Sequence, residues 1–343
     1  MNIKWKTIAV VELLLIFILL SASIILIIHS SRLPSNQQQR LNNEINAPDT
    51  YLSPRVYLGI LEPKSFMIVN YAPLKISIES FIQKNGLNMS VYVQNLRDGA
   101  AIGINERKGY PPASLDKVHN AILIMKRIEH GELSLDKMIP LNDSLRSSAY
   151  GTLYKTPSKE LPLKVLMEKM LRESDDTAFK IIATYVDLND KAFLLSYLDY
   201  YSRDSTGNNY PGEDRELGLV TPKSIFNVFS SLYLSTVLEP QDSEYILSLL
   251  TGTVFDINKI ADLPGNVTVA QKFAAKYTEK DRYLHSCGIM YIDERRLFYC
   301  VMTEGMEEKK AEAVIGAVVN SIYTYTINTR AELDKLKEEY NFD

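Results

Sequence analysis

One tetrapeptide that occurs twice carries the residue types needed for serine chemistry. Residues 114–117 and 134–137 both read Ser-Leu-Asp-Lys, so a lysine stands three positions after a serine in each copy. On a helix this spacing brings the two side chains to the same face. A serine hydroxyl becomes a nucleophile when a base takes its proton, and a lysine whose pKa is depressed by burial can be that base. Both copies are therefore candidate nucleophile and base pairs.

The surroundings of the two tetrads differ. Ser114 follows Pro-Pro-Ala and opens a long segment with apolar residues at helical spacing, which ends at Gly131. Ser134 leads into the short run Met-Ile-Pro-Leu, where no helix projects Lys137. Ser114 is the better candidate nucleophile. Taken alone, its tetrad is explained as well or better by an ordinary helix N-cap beside a solvated lysine, so the assignment depends on further motifs.

The predicted elements around these residues follow a definite order. A helix over Leu74–Ile82 precedes a hairpin of strands over Ser90–Leu96 and Ala101–Ile104, and the helix opened by Ser114 follows. The order predicts a sheet assembled from both ends of the domain, with a helical subdomain of about residues 114–262 inserted. The remaining elements are helices over Leu161–Arg172, Asp175–Val186, Lys191–Tyr200, Thr221–Leu234 and Asp242–Leu250, strands over Asn266–Phe273, Tyr283–Ile292 and Leu297–Thr303, and a helix over Lys309–Asn328.

Two further motifs stand at element boundaries. Ser174-Asp175-Asp176 starts a helix, and Lys272-Phe273-Ala274 ends a later strand. With the first tetrad they resemble, in order and rough spacing, the S-x-x-K, S-D-N and K-T-G motifs of the serine β-lactamase and penicillin-binding protein family. The resemblance covers roughly residues 71–328 and is closest to the class A β-lactamase-like catalytic domain. It implies an α/β (α+β) fold in which helices flank an antiparallel five-stranded sheet.

The resemblance also implies roles for the motif residues. Ser114 would attack a carbonyl carbon, Lys117 would act as the base, and Ser174 would relay a proton to the leaving nitrogen. The backbone amides of Ser114 and Ala275 would form the oxyanion hole. The expected site lies between the sheet and the helical subdomain.

The expected substrate-binding residues depart from the family's pattern. Asp176 stands where the family has Asn, so a carboxylate would face Lys117 and raise its pKa. Lys272 would anchor a substrate carboxylate, but Phe273 replaces the threonine whose hydroxyl helps to hold that group. Ala274 replaces a glycine where substrate approaches the strand closely. A changed substrate range is expected.

The segment between Ser174 and Thr221 lacks the E-x-x-L-N loop that supplies the deacylating glutamate of class A β-lactamases. Glu213 and Glu216 are better explained as a solvated acidic turn. We therefore expect a serine hydrolase or acyltransferase that acts on peptidoglycan peptides or β-lactams. The enzyme is expected to resemble penicillin-binding proteins or D,D-peptidases and to release its acyl group slowly. Two alternatives remain: a true β-lactamase, and a non-catalytic domain on the same fold that binds the cell wall or a protein.

The N-terminal segment Thr7–Ile28 is apolar apart from one glutamate and a few hydroxyls, and it is long enough to cross a ~30 Å hydrocarbon core. It predicts a retained transmembrane anchor in the lipid bilayer rather than a cleaved signal, because the apolar run continues past the small residues at 21–23. The expected location is the cell membrane, with the catalytic domain extracytoplasmic. Residues 1–6 would be a cytoplasmic tail, 29–50 a flexible linker and 51–343 the catalytic domain.

The composition of the chain and the spacing of its residues limit which partners and cofactors are expected. The 343-residue chain has a formal net charge of -4 and no Lys/Arg-rich stripe, so no nucleic acid partner is expected. The four histidines show no metal-ligand spacing, and no metal or other cofactor is predicted. The two cysteines, Cys287 and Cys300, flank a plausible hairpin turn, and the sequence leaves open whether they form a disulfide or remain buried thiols.

Overall fold

The computed structural model describes Tyr51 and residues 70–186, 219–293 and 295–340. The strands are β1 (Met89–Asn95), β2 (Ala101–Ile104), β3 (Met138–Pro140), β4 (Glu160–Pro162), β5 (Thr268–Tyr277), β6 (Arg282–Ile292) and β7 (Arg295–Glu304). Five of them form an antiparallel sheet with the order β2-β1-β7-β6-β5, which confirms the expected sheet. The two short strands β3 and β4 pair separately.

The sheet joins the two ends of the described domain. Val91 of β1 lies opposite Ile104 of β2 on one side and opposite Val301 of β7 on the other. The hairpin that precedes the first tetrad is therefore completed by strands that follow the helical part of the chain. This long-range pairing fixes β5, with Lys272, at the edge of the sheet beside the helices.

The two faces of the sheet pack against different helices. Phe298 and Cys300 alternate with Tyr299 and Val301 along β7, and the two pairs belong to separate apolar clusters. The cluster around Phe298 contains residues of the helices between Asp116 and Leu250, and the other cluster contains residues of the first and last helices and of the short helix Ile257–Ile260. Cys287 and Cys300 face each other across β6 and β7 and form a disulfide, with Cα atoms 3.9 Å apart.

Local sequence signals set several helix starts. The side chains and backbone amides of Thr221 and Ser224 cap the helix that Pro222 opens, and Pro240 stands in the first turn of the next. The helices are α1 (Ala72–Lys84), α2 (Asp116–Glu129), α3 (Leu163–Arg172), α4 (Asp176–Val186), α5 (Pro222–Tyr233), α6 (Pro240–Leu250), α7 (Ile257–Ile260) and α8 (Glu308–Tyr340).

Several features predicted from the sequence lie in parts of the chain that the structure does not describe. The segment 7–28, the helix expected over Lys191–Tyr200, and both Glu213 and Glu216 lie outside the described residues. Among the helices that the structure describes, none combines the length and apolar character needed to cross a bilayer. The last helix, expected to end at Asn328, continues to Tyr340.

Candidate active site

Ser114 stands on a single 3-10 turn, Ala113–Leu115, that leads directly into α2. The sequence predicts an α-helix from Ser114, and the structure instead has the tighter turn, a common way for a helix to begin. Ala113 has φ +45°, a left-handed conformation that costs a residue with a Cβ about 1–2 kcal/mol. Strand β5 lies against this turn. The serine is thereby held at the boundary between the sheet and the helices, with its side chain partly exposed.

Lys117 is the group next to the Ser114 hydroxyl. Its Nζ lies 3.0 Å from Ser114 Oγ, 2.6 Å from the carbonyl oxygen of Ser174 and 2.7 Å from Asp176 Oδ1. The residue is only 3% exposed. Burial lowers the pKa of Lys117, and the hydrogen bond and charge of Asp176 oppose that shift. A buried lysine with a depressed pKa, in reach of a serine hydroxyl, is the arrangement that a serine-activating base requires.

Ser174 lies between the two lysines of the site. Its backbone, between α3 and α4, has φ +55°, again in the left-handed region. Lys272 Nζ is 2.8 Å and Lys117 Nζ 3.4 Å from Ser174 Oγ. The hydroxyl can accept a proton from one side while it passes its own to a leaving group, so its position is suited to a proton relay.

Lys272 reaches the site from β5 and is fully buried. Besides Ser174, its ammonium contacts the carbonyl oxygen of Phe273 at 3.1 Å. Burial lowers its pKa well below the ordinary range, and the nearby charge of Lys117 lowers it further. Lys272 is therefore an internal partner of Ser174 in this conformation rather than an exposed anchor.

The remaining substrate-binding candidates lie along the same strand. Phe273 is 1% exposed, and its ring contacts those of Tyr150 and Phe255. Ala274 is completely buried and pairs with His285 of β6, and Ala275, the next residue, is partly exposed. The structure thus brings together the motif side chains of Ser114, Lys117, Ser174, Asp176 and Lys272, whereas those of Phe273 and Ala274 are enclosed.

Asp175, the central residue of the second motif, fixes the backbone near the site. It is fully buried and accepts hydrogen bonds from the backbone amides of Leu153 at 2.7 Å and Ala178 at 2.9 Å. A Cβ at Gly151, which has φ +88°, would lie 2.1 Å from Asp175 Oδ2. Sequence analysis assigned no role to Gly151 or Asp175. A side chain at position 151 would collide with the buried Asp175, and the backbone conformation there favours glycine. This close approach is seen only in the folded structure.

His285 supports the segment that precedes the nucleophile. Its Nε2 lies 3.2 Å from the carbonyl oxygen of Pro111, and burial lowers its pKa to about 4, so the neutral ring donates this hydrogen bond. The spacing of the histidines gave no sign of this contact. In the structure, His285 supports the segment that leads to Ser114.

The second tetrad lies in an exposed turn. The backbone amide of Lys137 donates to the carbonyl oxygen of Ser134 at 3.0 Å, and both side chains are exposed. Asp136 pairs with Lys164 at 2.6 Å, and Lys137 Nζ lies 5.3 Å from the centroid of the Tyr185 ring. Neither residue of the serine-lysine pair contacts the motif residues of the site in the described structure.

Comparison with known proteins agrees with this geometry. The model of a β-lactamase enzyme family matches residues 73–326. A sequence search of curated proteins finds no match. Among solved structures, the extended-spectrum β-lactamase TLA-3 superposes with a TM-score of 0.65 at 18% identity, over 75% of this chain and 100% of that chain.

Two more solved structures share the fold. A β-lactamase from Chitinophaga pinensis has a TM-score of 0.63 at 16% identity, over 74% of this chain and 99% of its own. A variant of PBP-A, solved as an acyl-enzyme complex with penicillin G, has a TM-score of 0.61 at 19% identity, over 75% of this chain and 97% of its own. The fold and site define a serine hydrolase of the β-lactamase and penicillin-binding type. The chain belongs to the β-lactamase enzyme family.

Proposed function

We propose that this protein is a penicillin-binding, D,D-peptidase-like serine enzyme that acylates Ser114 and releases the acyl group slowly. The observation that carries the proposal is the contact of Lys117 Nζ with Ser114 Oγ at 3.0 Å, in a buried position that depresses the lysine's pKa. The expected acyl donors are peptidoglycan peptides or β-lactams. The PBP-A variant that shares this fold, itself an acyl-enzyme with penicillin G, supports that choice by analogy.

Each residue of the site has its own role in the proposed reaction. Ser114 Oγ attacks the acyl carbon while Lys117 takes its proton. The bond between the acyl carbon and the leaving nitrogen then breaks, and the proton passes from Lys117 through Ser174 to that nitrogen. Lys272 holds the Ser174 hydroxyl in position for the transfer, with Nζ at 2.8 Å from Oγ. The backbone amides of Ser114 and Ala275 are the proposed donors to the oxyanion.

Slow deacylation follows from the absence of an E-x-x-L-N motif between Ser174 and Thr221. Without the glutamate of that motif, water is not activated by the route that class A β-lactamases use, and the contribution of a general base is typically about 10²–10⁴-fold. Asp176 is bound to Lys117 at 2.7 Å and is therefore engaged elsewhere. The acyl-enzyme is expected to accumulate.

We further propose that the domain is tethered to the outer face of the cell membrane by a helix over Thr7–Ile28, with a polar linker over 29–50. The support is the apolar composition of the segment and its length. Carbonate extraction of cell membranes tests the anchor. The full chain should stay in the pellet, whereas a chain that starts at residue 51 should be soluble, and release of both would refute the anchor.

The test of the enzyme is intact-mass spectrometry of the full chain in detergent after incubation with a penicillin. A persistent adduct on wild type that is absent from Ser114→Ala is the expected result. Rapid turnover of a chromogenic cephalosporin without accumulated adduct would establish the alternative of a true β-lactamase. No adduct and no turnover, with retained binding of a cell-wall peptide, would establish the non-catalytic alternative, which the replacements at Asp176, Phe273 and Ala274 motivate.

A further inference from the structure

Each serine-lysine tetrad has its lysine beside an aromatic ring of α4. Lys117 Nζ lies 5.7 Å from the centroid of the Phe179 ring, and Lys137 Nζ lies 5.3 Å from the centroid of the Tyr185 ring. At these distances a lysine side chain is in contact with a ring. The surroundings differ, because Lys117 is buried in the site whereas Lys137 and Tyr185 are exposed. The ring of Phe179 therefore borders the reaction centre, and that of Tyr185 borders solvent.

Phe179 is held in place at the beginning of α4. Its backbone amide donates a hydrogen bond of 3.1 Å to the carbonyl oxygen of Asp175, which is fully buried. Asp176 stands three residues before Phe179, so the two side chains lie on the same face of the helix. Asp176 Oδ1 is 2.7 Å from Lys117 Nζ, and this ion pair brings that face to the lysine. The backbone of α4 and the ion pair together fix the ring beside Lys117.

The residues of the site fill the hydrogen-bonding directions of the Lys117 nitrogen. A lysine nitrogen has three such directions besides its bond to carbon. They are filled by Ser114 Oγ at 3.0 Å, the carbonyl oxygen of Ser174 at 2.6 Å and Asp176 Oδ1 at 2.7 Å. Lys117 is 3% exposed, whereas Phe179 is partly exposed. The ring therefore lies between the lysine and solvent on an apolar side of the nitrogen.

Acylation leaves Lys117 as a base beside the new ester. The proton that Lys117 takes from Ser114 passes on to the leaving nitrogen, so the lysine returns to its neutral form, which its burial favours. A neutral amine activates water that lies within hydrogen-bond reach, about 2.6–3.2 Å. An aromatic ring offers water no comparable hydrogen bond. Hydrolysis of the ester therefore depends on whether water can enter beside Lys117, where the ring of Phe179 lies.

We propose that Phe179 determines how long the acyl group stays on Ser114, because its ring keeps water away from Lys117. The inference rests on the proposed acyl-enzyme function and identifies a residue that controls the release step. In the step that the ring hinders, the oxygen of water attacks the acyl carbon while Lys117 takes a proton from it. The bond between the acyl carbon and Ser114 Oγ then breaks, and Lys117 returns the proton to Oγ. The products are a carboxylic acid and the free serine.

The lifetime of the adduct with penicillin G tests the proposal. The full chain in detergent is acylated, freed of excess penicillin G and followed by intact-mass spectrometry. Phe179→Ala should admit water beside Lys117, so the adduct should decay faster by roughly tenfold or more, toward the contribution of about 10²–10⁴-fold that a positioned general base makes. The rate of acylation should change much less, because the ring takes no part in the proton transfers from Ser114. A loss of packing alone would not accelerate the release step selectively.

Three further variants serve as controls. Tyr185→Ala is the matched control, because it removes the ring beside the exposed lysine of the second tetrad from the same helix, and its adduct should decay as in wild type. Phe179→Leu keeps an apolar side chain and should keep most of the wild-type lifetime. Phe179→Gln keeps much of the volume of the side chain but offers water hydrogen bonds, so it should shorten the lifetime. It provides the test if Phe179→Ala does not fold by circular dichroism.

The outcomes separate this inference from the function on which it rests. An equal or longer adduct lifetime in folded Phe179→Ala and Phe179→Gln would overturn the inference and leave the acyl-enzyme intact. Equal shortening by Tyr185→Ala would also overturn it, because the loss of either ring from α4 would then have the same effect. No adduct on Ser114 in any of these chains would instead overturn the proposed function, and this inference with it.

Discussion

The two Ser-Leu-Asp-Lys tetrads have identical sequences and different environments. In the first, Lys117 is 3% exposed and contacts Ser114, Ser174 and Asp176. In the second, Ser134 and Lys137 are exposed on a turn. The first tetrad is held by a 3-10 turn against β5, and the second precedes the short strand β3. The same four residues therefore form a chemical site only where the fold buries the lysine and supplies it with partners.

The difference shows what a serine-lysine motif requires beyond its spacing. Desolvation depresses the pKa of Lys117, and at neutral pH a depressed pKa increases the fraction of lysine able to take a proton. The second tetrad has the same sequence on an exposed turn and is thus a control within the same chain. Ser134 and Lys137 are the counterparts of Ser114 and Lys117.

The largest effect is expected from loss of the base. Lys117→Met removes the group that takes the Ser114 proton, and acylation should slow roughly a hundredfold to ten-thousandfold, the range for loss of a positioned general base. Lys137→Met should leave the rate unchanged. Stopped-flow acylation with a chromogenic cephalosporin measures both. Equal rates for Lys117→Met and wild type, with both folded by circular dichroism, would contradict the assignment of the base.

A smaller effect is expected from Asp176→Asn, and it is a change in the pH dependence of the acylation rate. Burial lowers the pKa of Lys117 and Asp176 raises it, so removal of the carboxylate's charge should lower the pKa further. The reactive form is the neutral lysine, and the acylation rate therefore increases with pH up to that pKa. The acid limb of the rate profile should shift to lower pH in Asp176→Asn.

A control for the loss of a carboxylate is Asp136→Asn on the exposed turn of the second tetrad, which should leave the acid limb where wild type has it. A limb that does not move in Asp176→Asn, or that moves to higher pH, would show that Asp176 does not tune Lys117. Acylation rates measured with a chromogenic cephalosporin from acidic to alkaline pH provide the comparison.

The smallest effect is expected from the ion pair of the second tetrad. Asp136 and Lys164 are 2.6 Å apart, but about half or more of each side chain is exposed, at 78% and 52%. Exposed pairs of this kind contribute about 0–1 kcal/mol. Urea unfolding of Asp136→Asn should therefore show a change in the free energy of unfolding below about 1 kcal/mol. A larger loss would mean that the turn is itself a stability element.

Sequence reasoning predicted the sheet and the meeting of the motif residues. Alternating apolar residues placed strands near Met89–Asn95 and Arg282–Ile292, and the order of elements implied a sheet joined from both ends. Those signals are local and periodic. The resemblance of three motifs to one family then predicted that Ser114, Ser174 and Lys272 meet in one site. That prediction came from the family's fold, because hydrophobic periodicity contains no information about long-range contacts.

The rest depended on tertiary packing. The ring of Phe273 packs against Tyr150 and Phe255, which belong to loops with no periodic signal, and the sequence indicated Phe273 only as the loss of a hydroxyl. The close approach of Gly151 to Asp175 likewise could not be predicted from a single sequence, because no sequence pattern indicates it. The disulfide between Cys287 and Cys300 required the exact register of β6 and β7, which hydrophobic alternation fixes only approximately.

The measurement that tests the central claim most directly is the location of the acyl group. Wild type, Ser114→Ala and Ser134→Ala are each incubated with a penicillin, digested, and mapped by mass spectrometry. We predict that the added mass lies on the peptide with Ser114, persists in Ser134→Ala and is lost in Ser114→Ala. An adduct on Ser134, or one that survives in Ser114→Ala, would contradict the account.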